Sequence, residues 1–511
     1  MQKKPAHINK NVMRTPEGLP DFYVPPKVAG PLPDKPLFAV TNLDGRDRRF
    51  TRELAQYCSE FATFTTRAEI SGKYLIALSD FGILPRKLTE DERGILDQIG
   101  NTMTEEDVEE VKTFERQTNH DVVALRLHMK KKFQDTSLSD FSEFIDLGLT
   151  SEDKNNLTFR LNLLRGTHAV ALPALNGITD QTGEIRKKKA ISLMQARTHG
   201  QAAGPTTAEK EFAVFDERLK GAVEQLGAQH LTGKLNGAVG NFNSLRYVYP
   251  EKDWLEFSRN FVTSLGLVPN EYTTQINPYD DIAEYLQSIS RVNNILASLS
   301  DDVWHYIADN WIVQIPQEGE SGSSAMPQKV NPIDWEKAEG NLEVANDLIE
   351  GLARRLPRSR FQRDLRDSTQ IRNIGAVLGF SMVGYQSILT GFRKIAINED
   401  AMRDALNSDW TILSEAIQIY LRGKTDVEDP YELMKKLVRG NHMNREEWWA
   451  VIDGLPVNDD LKAHFKELTP ETYLGYAVEL AEGIPQDIRP DSSPIVIELT
   501  EEELLHPERF N

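Results

Sequence analysis

Residues 278–316 read PYDDIAEYLQSISRVNNILASLSDDVWHYIADNWIVQIP, and no glycine or proline interrupts the stretch between its end prolines. Apolar side chains fall at Ile282, Leu286, Ile289, Val292, Leu296, Leu299, Val303 and Ile307. Their mean step is about 3.6 residues, the period of a straight α-helix with one buried stripe. A helix filling the interval would be on the order of 50 Å long, and other long helices must cover it. Residues 335–356 offer a second helix, with Leu342, Ala345, Leu348, Ile349 and Leu352 on one side, and residues 374–395 a third. Apolar–polar alternation of the β kind is nearly absent. The reading is an all-α protein on a central long-helix bundle, shared between subunits because a lone chain would leave the stripe wet.

The chain has 511 residues, 27 % charged and 40 % hydrophobic, in the range of a soluble globular protein. Its single cysteine, Cys58, excludes an intramolecular disulfide and suits a reducing, cytoplasmic setting. Met1 to Lys10 are basic and polar without an apolar core, unlike a secretory signal. No uninterrupted apolar run approaches about 18 residues, so no membrane span is expected. The net charge of -19 disfavours nucleic acid and anionic membranes, and an anionic ligand would need a local basic pocket. The expected organisation is an extended Pro-rich arm over 1–38, an N-terminal helical domain over 39–140 and the long-helix domain over 141–397. A C-terminal helical domain over 398–482 and a loose tail over 483–511 follow.

Six residues after Pro316 begins Gly322-Ser323-Ser324-Ala325-Met326-Pro327-Gln328-Lys329-Val330-Asn331-Pro332. Composition alone describes a surface loop. Its order is more specific: two hydroxyls, an ammonium and an amide in a loop opened by Gly319 and Gly322, whose N–H groups can converge on an anion. Fixed donors of that kind stabilise charge developing beside a carboxylate. Four other segments carry chemistry-bearing residues. Arg197-Thr198-His199-Gly200-Gln201 holds an imidazole able to act as acid or base near neutrality. Asn119-His120-Asp121 sets an imidazole beside a carboxylate. Thr150-Ser151-Glu152-Asp153 has the form of a helix cap. Gln362 to Arg372 concentrates guanidinium groups suited to phosphate or carboxylate, or to a solvated salt-bridged face.

The loop resembles the S-S-x-M-P-x-K-x-N-P signature of the fumarase/aspartase superfamily. Taken with Gly233 to Asn241, Thr273-Thr274-Gln275-Ile276 and Ser359 to Asp364, roughly residues 40 to 480 resemble the adenylosuccinate lyase family in its enteric-bacterial form. The resemblance implies the three-domain all-α fumarase/aspartase-like fold and a homotetramer whose sites draw on three subunits. It also implies elimination of fumarate from adenylosuccinate and from the succinylaminoimidazole carboxamide ribotide, without metal or organic cofactor. By the same resemblance Ser323 is the base, supported by Lys329 and the loop N–H groups. His199 is the general acid, with His120 the other candidate, and Glu336 orients the imidazole. Asn331, Ser324 and Met326 belong to the loop's substrate side. Arg46, Asn119, Asp121, Thr150, Ser151, Thr198, Lys234, Gln275, Arg363, Ser368 and Arg372 match substrate contacts.

Three positions depart from the family pattern. Asp146 stands where a histidine is usual, Asp47 replaces a tyrosine, and Asn277-Pro278-Tyr279-Asp280 replaces Glu-Pro-His-Asp. A carboxylate at 146 reverses charge beside an anionic substrate, which costs affinity unless it is paired or protonated. On that reading a histidine at 146 is expected to raise affinity. Two other functions compete: a superfamily lyase acting on another succinyl-amine, and a non-catalytic structural relative.

Overall fold

The computed structural model describes residues 35–188, 191–320 and 322–483. The expected N-terminal arm, apart from its last residues, and the C-terminal tail after Gly483 lie outside the described residues. The chain divides into two compact units, Met1–Arg49 and Phe50–Asn511. In the first, the Asn42 amide donates to Asp47 Oδ2 at 2.9 Å and the Asp47 N–H to the Asn42 carbonyl at 2.8 Å. Asp47, one of the three departures, therefore fastens a turn with a buried side chain.

The second unit is mainly helical. Helix α1 (Glu60–Asp80) starts at Ser59, whose Oγ accepts from Ala62 N at 3.0 Å. Helices α2 (Glu105–Thr118) and α3 (Asp121–Phe133) pack side by side, turned by Asn119 in the left-handed region (φ 53°), where Asn is tolerated. Helix α4 (Ser151–Gly166) runs through a π-helical turn (Thr167–Ala171) into α5 (Leu172–Arg186). A hairpin of β1 (Leu193–Thr198) and β2 (Gln201–Thr207) leads into α6 (Ala208–Ala228). Three long helices follow: α7 (Asp280–Ala308), α8 (Ile333–Arg355) and, after the short α9 (Arg366–Ile371), α10 (Ile374–Phe392).

The long helices are antiparallel neighbours. Trp304 of α7 meets Glu336 of α8, and Asn293 meets Asn346. Gly391 of α10 lies against Trp335, where a Cβ would come within 2.8 Å of the indole, so only glycine allows that approach. Helix α7 is shorter than the proline-to-proline interval suggests. It stops at Ala308 because Asn310 turns left-handed (φ 60°) and Ile312–Gln314 pair as β3 with β4 (Ile395–Ile397). Its 29 residues span about 43 Å. The β content is three two-stranded sheets among the described residues.

The apolar stripe of α7 is buried within this one chain, from Ile282 to Val303. Packing on α6, α8 and α10 covers it. Contrary to the expectation from the sequence, the stripe needs no partner chain to keep it dry. Each such side chain contributes about 1.5–3 kcal/mol by leaving water. The segment Arg366–Phe392 is apolar and long enough to cross a membrane by composition, but 67 % of its most apolar window is buried in the protein, as in a core helix. A separate buried core, including Leu406, Trp410, Leu413, Trp448 and Phe465, organises the chain from about 406 to 468.

Candidate active site

The expected residues gather at two ends of the bundle. At one end the signature loop emerges from β3 and enters α8. Ser323 Oγ accepts N–H bonds from Ala325 (3.3 Å) and Met326 (3.0 Å). Asn331 Nδ2 donates to the Gly322 carbonyl at 2.6 Å and closes the loop on itself. Lys394 anchors it from β4's side by ion pairs to Glu320 and Asp334, both 2.9 Å. Ser324, Met326 and Lys329 are exposed along its rim. Glu336, exposed in the first turn of α8, accepts from Trp304 Nε1 at 3.2 Å. Gly322 sits so close to Lys329 that a Cβ would lie 2.2 Å from its carbonyl oxygen. Gly322→Ala is therefore expected to open the loop, seen as faster limited proteolysis between Pro316 and Pro332 with an unchanged far-ultraviolet spectrum.

His199 lies at this same end. It forms the β1–β2 turn with Gly200 (φ 52° and 74°), the two-residue geometry that matches strand twist. The turn presents Thr198 and His199 to solvent. Arg197 pins the hairpin to the end of α7, pairing with Asp309 at 2.5 Å and lying 4.6 Å over the Trp311 ring.

The other end holds the remaining groups. His120 caps α3 rather than lying within a helix, and its Nε2 is 3.2 Å from Ser151 Oγ. Thr150 caps α4, its N–H donating to Asp153 at 2.8 Å. Asp121 Oδ1 lies 3.7 Å from Nδ1 of its neighbour His120, and Asp121 pairs more closely with Arg67 (3.0 Å) and Arg372 (2.9 Å). Burial opposes the Asp121 charge, yet the two guanidinium groups hold its carboxyl well below the usual range. Arg363 Nη2 is 3.2 Å from Glu152 and its Nε 3.7 Å from Asp367. Thr274 Oγ1 donates to the Gln362 carbonyl at 2.8 Å and ties the Gln275 loop to the Arg363 segment. Ser368 is half-buried on α9 and Asn119 is exposed at the α2–α3 turn. Arg46 belongs to the first unit and is exposed there.

Two groups sit differently from expectation. Lys234, expected to touch substrate, is fully buried, and its Nζ bonds Asp153 Oδ1 (2.6 Å) and the Gly237 carbonyl (2.8 Å). Here it braces the Gly233–Asn241 loop. Asp146 does not face its surroundings as a bare charge: Lys154 Nζ lies 2.6 Å and Ser71 Oγ 2.8 Å away. The sequence reading missed Arg67. A signal existed, since Arg67 falls in helical phase with Phe64, Ser71, Tyr74 and Leu78, all buried in α1. A cation on that stripe needs a buried acid.

The two ends are far apart in one chain. Ser323 precedes α8 and Arg363 follows it, and the 23 residues of α8 between them span about 35 Å of the bundle. One end offers a serine oxygen under two N–H donors and an imidazole on a turn. The other offers guanidinium groups, hydroxyls and a second imidazole.

A family model described as Lyase matches residues 47–345, and one described as Adenylosuccinate lyase C-terminal matches residues 359–474. The chain is 41 % identical to the adenylosuccinate lyase of Escherichia coli strain K12 over 449 residues, covering 87 % of this chain and 98 % of that one. It is 40 % identical over 450 residues to the adenylosuccinate lyase of Haemophilus influenzae, with the same coverage. The fold is similar to a solved fumarate lyase from Mesorhizobium sp. BNC1, with a TM-score of 0.67 at 17 % identity over 85 % of this chain and 97 % of that one. A solved beta-carboxy-cis,cis-muconate cycloisomerase from Acinetobacter calcoaceticus sp. ADP1 is similar in fold at a TM-score of 0.65 and 14 % identity, covering 84 % and 96 %.

Proposed function

The chain belongs to the adenylosuccinate lyase family within the fumarase/aspartase superfamily, and from that premise we propose how its own residues divide the work of a C–N lyase. The protein is an adenylosuccinate lyase: it eliminates fumarate from adenylosuccinate to leave AMP, and the same chemistry serves the succinylaminoimidazole carboxamide ribotide. Elimination needs a base for the Cβ proton, donors for the charge that develops on the adjacent carboxylate, and an acid for the departing nitrogen.

Ser323 is the base. A free serine hydroxyl is far too weakly acidic to serve, so its oxygen must be held as an acceptor by its surroundings. The convergence of the Ala325 and Met326 N–H groups on Ser323 Oγ is the observation that carries this assignment. Lys329 adds positive charge on the loop, and Asn331 with Ser324 and Met326 lines the carboxylate side. His199 protonates the leaving nitrogen, and Glu336 orients it. His120 with Ser151 and Thr150, and Arg363 with Ser368 and Arg372, hold the anionic ends of the substrate. Short charge-assisted hydrogen bonds of this kind prevail over a screened net charge of -19. Asn119, Asp121, Thr198 and Gln275 complete the substrate contacts, and Lys234 acts from behind through Asp153.

Because one chain sets its base loop and its guanidinium cluster at opposite ends of a helix about 35 Å long, the working site is assembled from neighbouring subunits of a cytoplasmic homotetramer. Mixing Ser323→Ala with Arg363→Ala, each inactive alone, is expected to restore activity after subunit exchange. An equal mixture approaches about a quarter of wild-type sites if two chains supply the two residues. No recovery in verified hybrids would overturn the shared site. Loss of ultraviolet absorbance from adenylosuccinate with the purified protein tests the activity itself. Turnover of another succinyl-amine without turnover of adenylosuccinate would favour the related lyase reading.

A further inference from the structure

Tyr279 stands at the start of α7 where the family pattern has a histidine, and it is buried. Its hydroxyl lies 3.1 Å from Asp367 Oδ2 and 3.4 Å from Glu152 Oε1. Both carboxyls also face Arg363, whose Nη2 is 3.2 Å from Glu152 Oε2 and whose Nε is 3.7 Å from Asp367 Oδ2. Counting protons decides how such a cluster is satisfied. A tyrosine supplies one hydrogen, and two carboxylates both ask for it. The nearer, Asp367, takes it. The contact to Glu152 is then oxygen against oxygen, and it is favourable only if Glu152 itself carries a proton and donates to the tyrosine oxygen.

We propose that Tyr279 and Glu152 are positioning residues for Arg363, joined in a proton chain from Glu152 through Tyr279 to Asp367 that frees the guanidinium for the substrate's anion. This inference rests on Arg363 as a substrate ligand. With Glu152 protonated, Arg363 faces one carboxylate and keeps its charge available. With Glu152 ionised, two carboxylates hold it and the cluster turns net negative. Facing Glu152 are Arg363 before α9 and Asp367 on it, Tyr279 before α7, Lys234 from the 232–242 segment and Arg67 from α1, with Arg160 on its own helix. Burial, opposed by the Arg363 charge and reinforced by Asp367, pushes the Glu152 carboxyl up to about 7. The proton is therefore present below neutrality and is lost as pH rises through that value.

The test is kcat and KM for adenylosuccinate from about pH 6 to about pH 8.5 in wild type, Glu152→Gln and Tyr279→Phe. Glutamine keeps a donor toward Tyr279 and an acceptor toward Arg363, so it imitates the protonated acid. The wild-type KM is expected to rise as pH passes 7, and the Glu152→Gln KM to stay near the low value apart from the substrate's own titration, which is common to both. Tyr279→Phe is expected to raise KM about tenfold at pH 7 with kcat within about threefold. A Glu152→Gln profile that follows wild type overturns the proposal, as does a Tyr279→Phe effect on kcat with KM unmoved. Should Tyr279→Phe unfold, the isosteric Glu152→Gln profile decides alone. A wild type inactive on adenylosuccinate would sink the function, whereas an active wild type with unaltered variants sinks this inference only.

Discussion

Ser323→Ala is expected to lower kcat on adenylosuccinate by about 10³-fold, with KM within a few-fold of wild type. The asymmetry follows from where Ser323 Oγ sits. Its neighbours are the Ala325 and Met326 N–H groups, which stabilise an oxygen that is gaining negative charge. The hydroxyl therefore acts chiefly in the transition state, and its removal leaves the guanidinium and hydroxyl contacts of the opposite bundle end intact. The loop itself should survive, because its closure depends on the Asn331 bond to the Gly322 carbonyl and on Lys394. Single-turnover absorbance loss beside a circular dichroism spectrum checks both halves. Equal background rates in wild type and variant would remove catalysis altogether and favour a structural relative.

The long-helix core was legible because its signal is periodic. One side chain in about 3.6 repeats from Ile282 to Val303, and all seven of these positions are buried. The end of α7 was not, because Asn310 and the β3–β4 pairing stop it, and the partner strand lies more than 80 residues further on. A pairing at that separation leaves no local trace. The loop chemistry was readable from residue order, since hydroxyl, ammonium and amide fall within one short segment. What order could not supply was distance. That His199 shares a bundle end with Ser323, while Arg363 does not, depends on the antiparallel return of α8. Lys234 shows the same limit: its type suits an anion, but the fold brings Asp153, 81 residues earlier, onto its ammonium.

Asp146→Asn is expected to cost about 3–5 kcal/mol of stability although the two side chains have the same shape. Asp146 lies in the left-handed region (φ 60°), which asparagine tolerates as well as aspartate, so the change removes charge without backbone strain. It strands Lys154, whose side chain is 1 % exposed and bonded to Asp146 and Ser71. Burial pulls the Lys154 pKa down, and Asp146 is the largest influence opposing that pull. Lys154→Met alone leaves the carboxylate unpaired and should cost a similar amount. The double variant removes both charges and keeps the aliphatic stem, so its thermal midpoint should lie above both single variants at equal protein concentration. Additive losses would show that the pair is not coupled. The same geometry reverses the expectation for a histidine at 146. The aspartate does not confront substrate as an unmatched negative charge, because Lys154 neutralises it from within. Asp146→His would set an imidazole against a buried ammonium, and it is expected to weaken adenylosuccinate binding instead of strengthening it, with recovery when Lys154→Met is added.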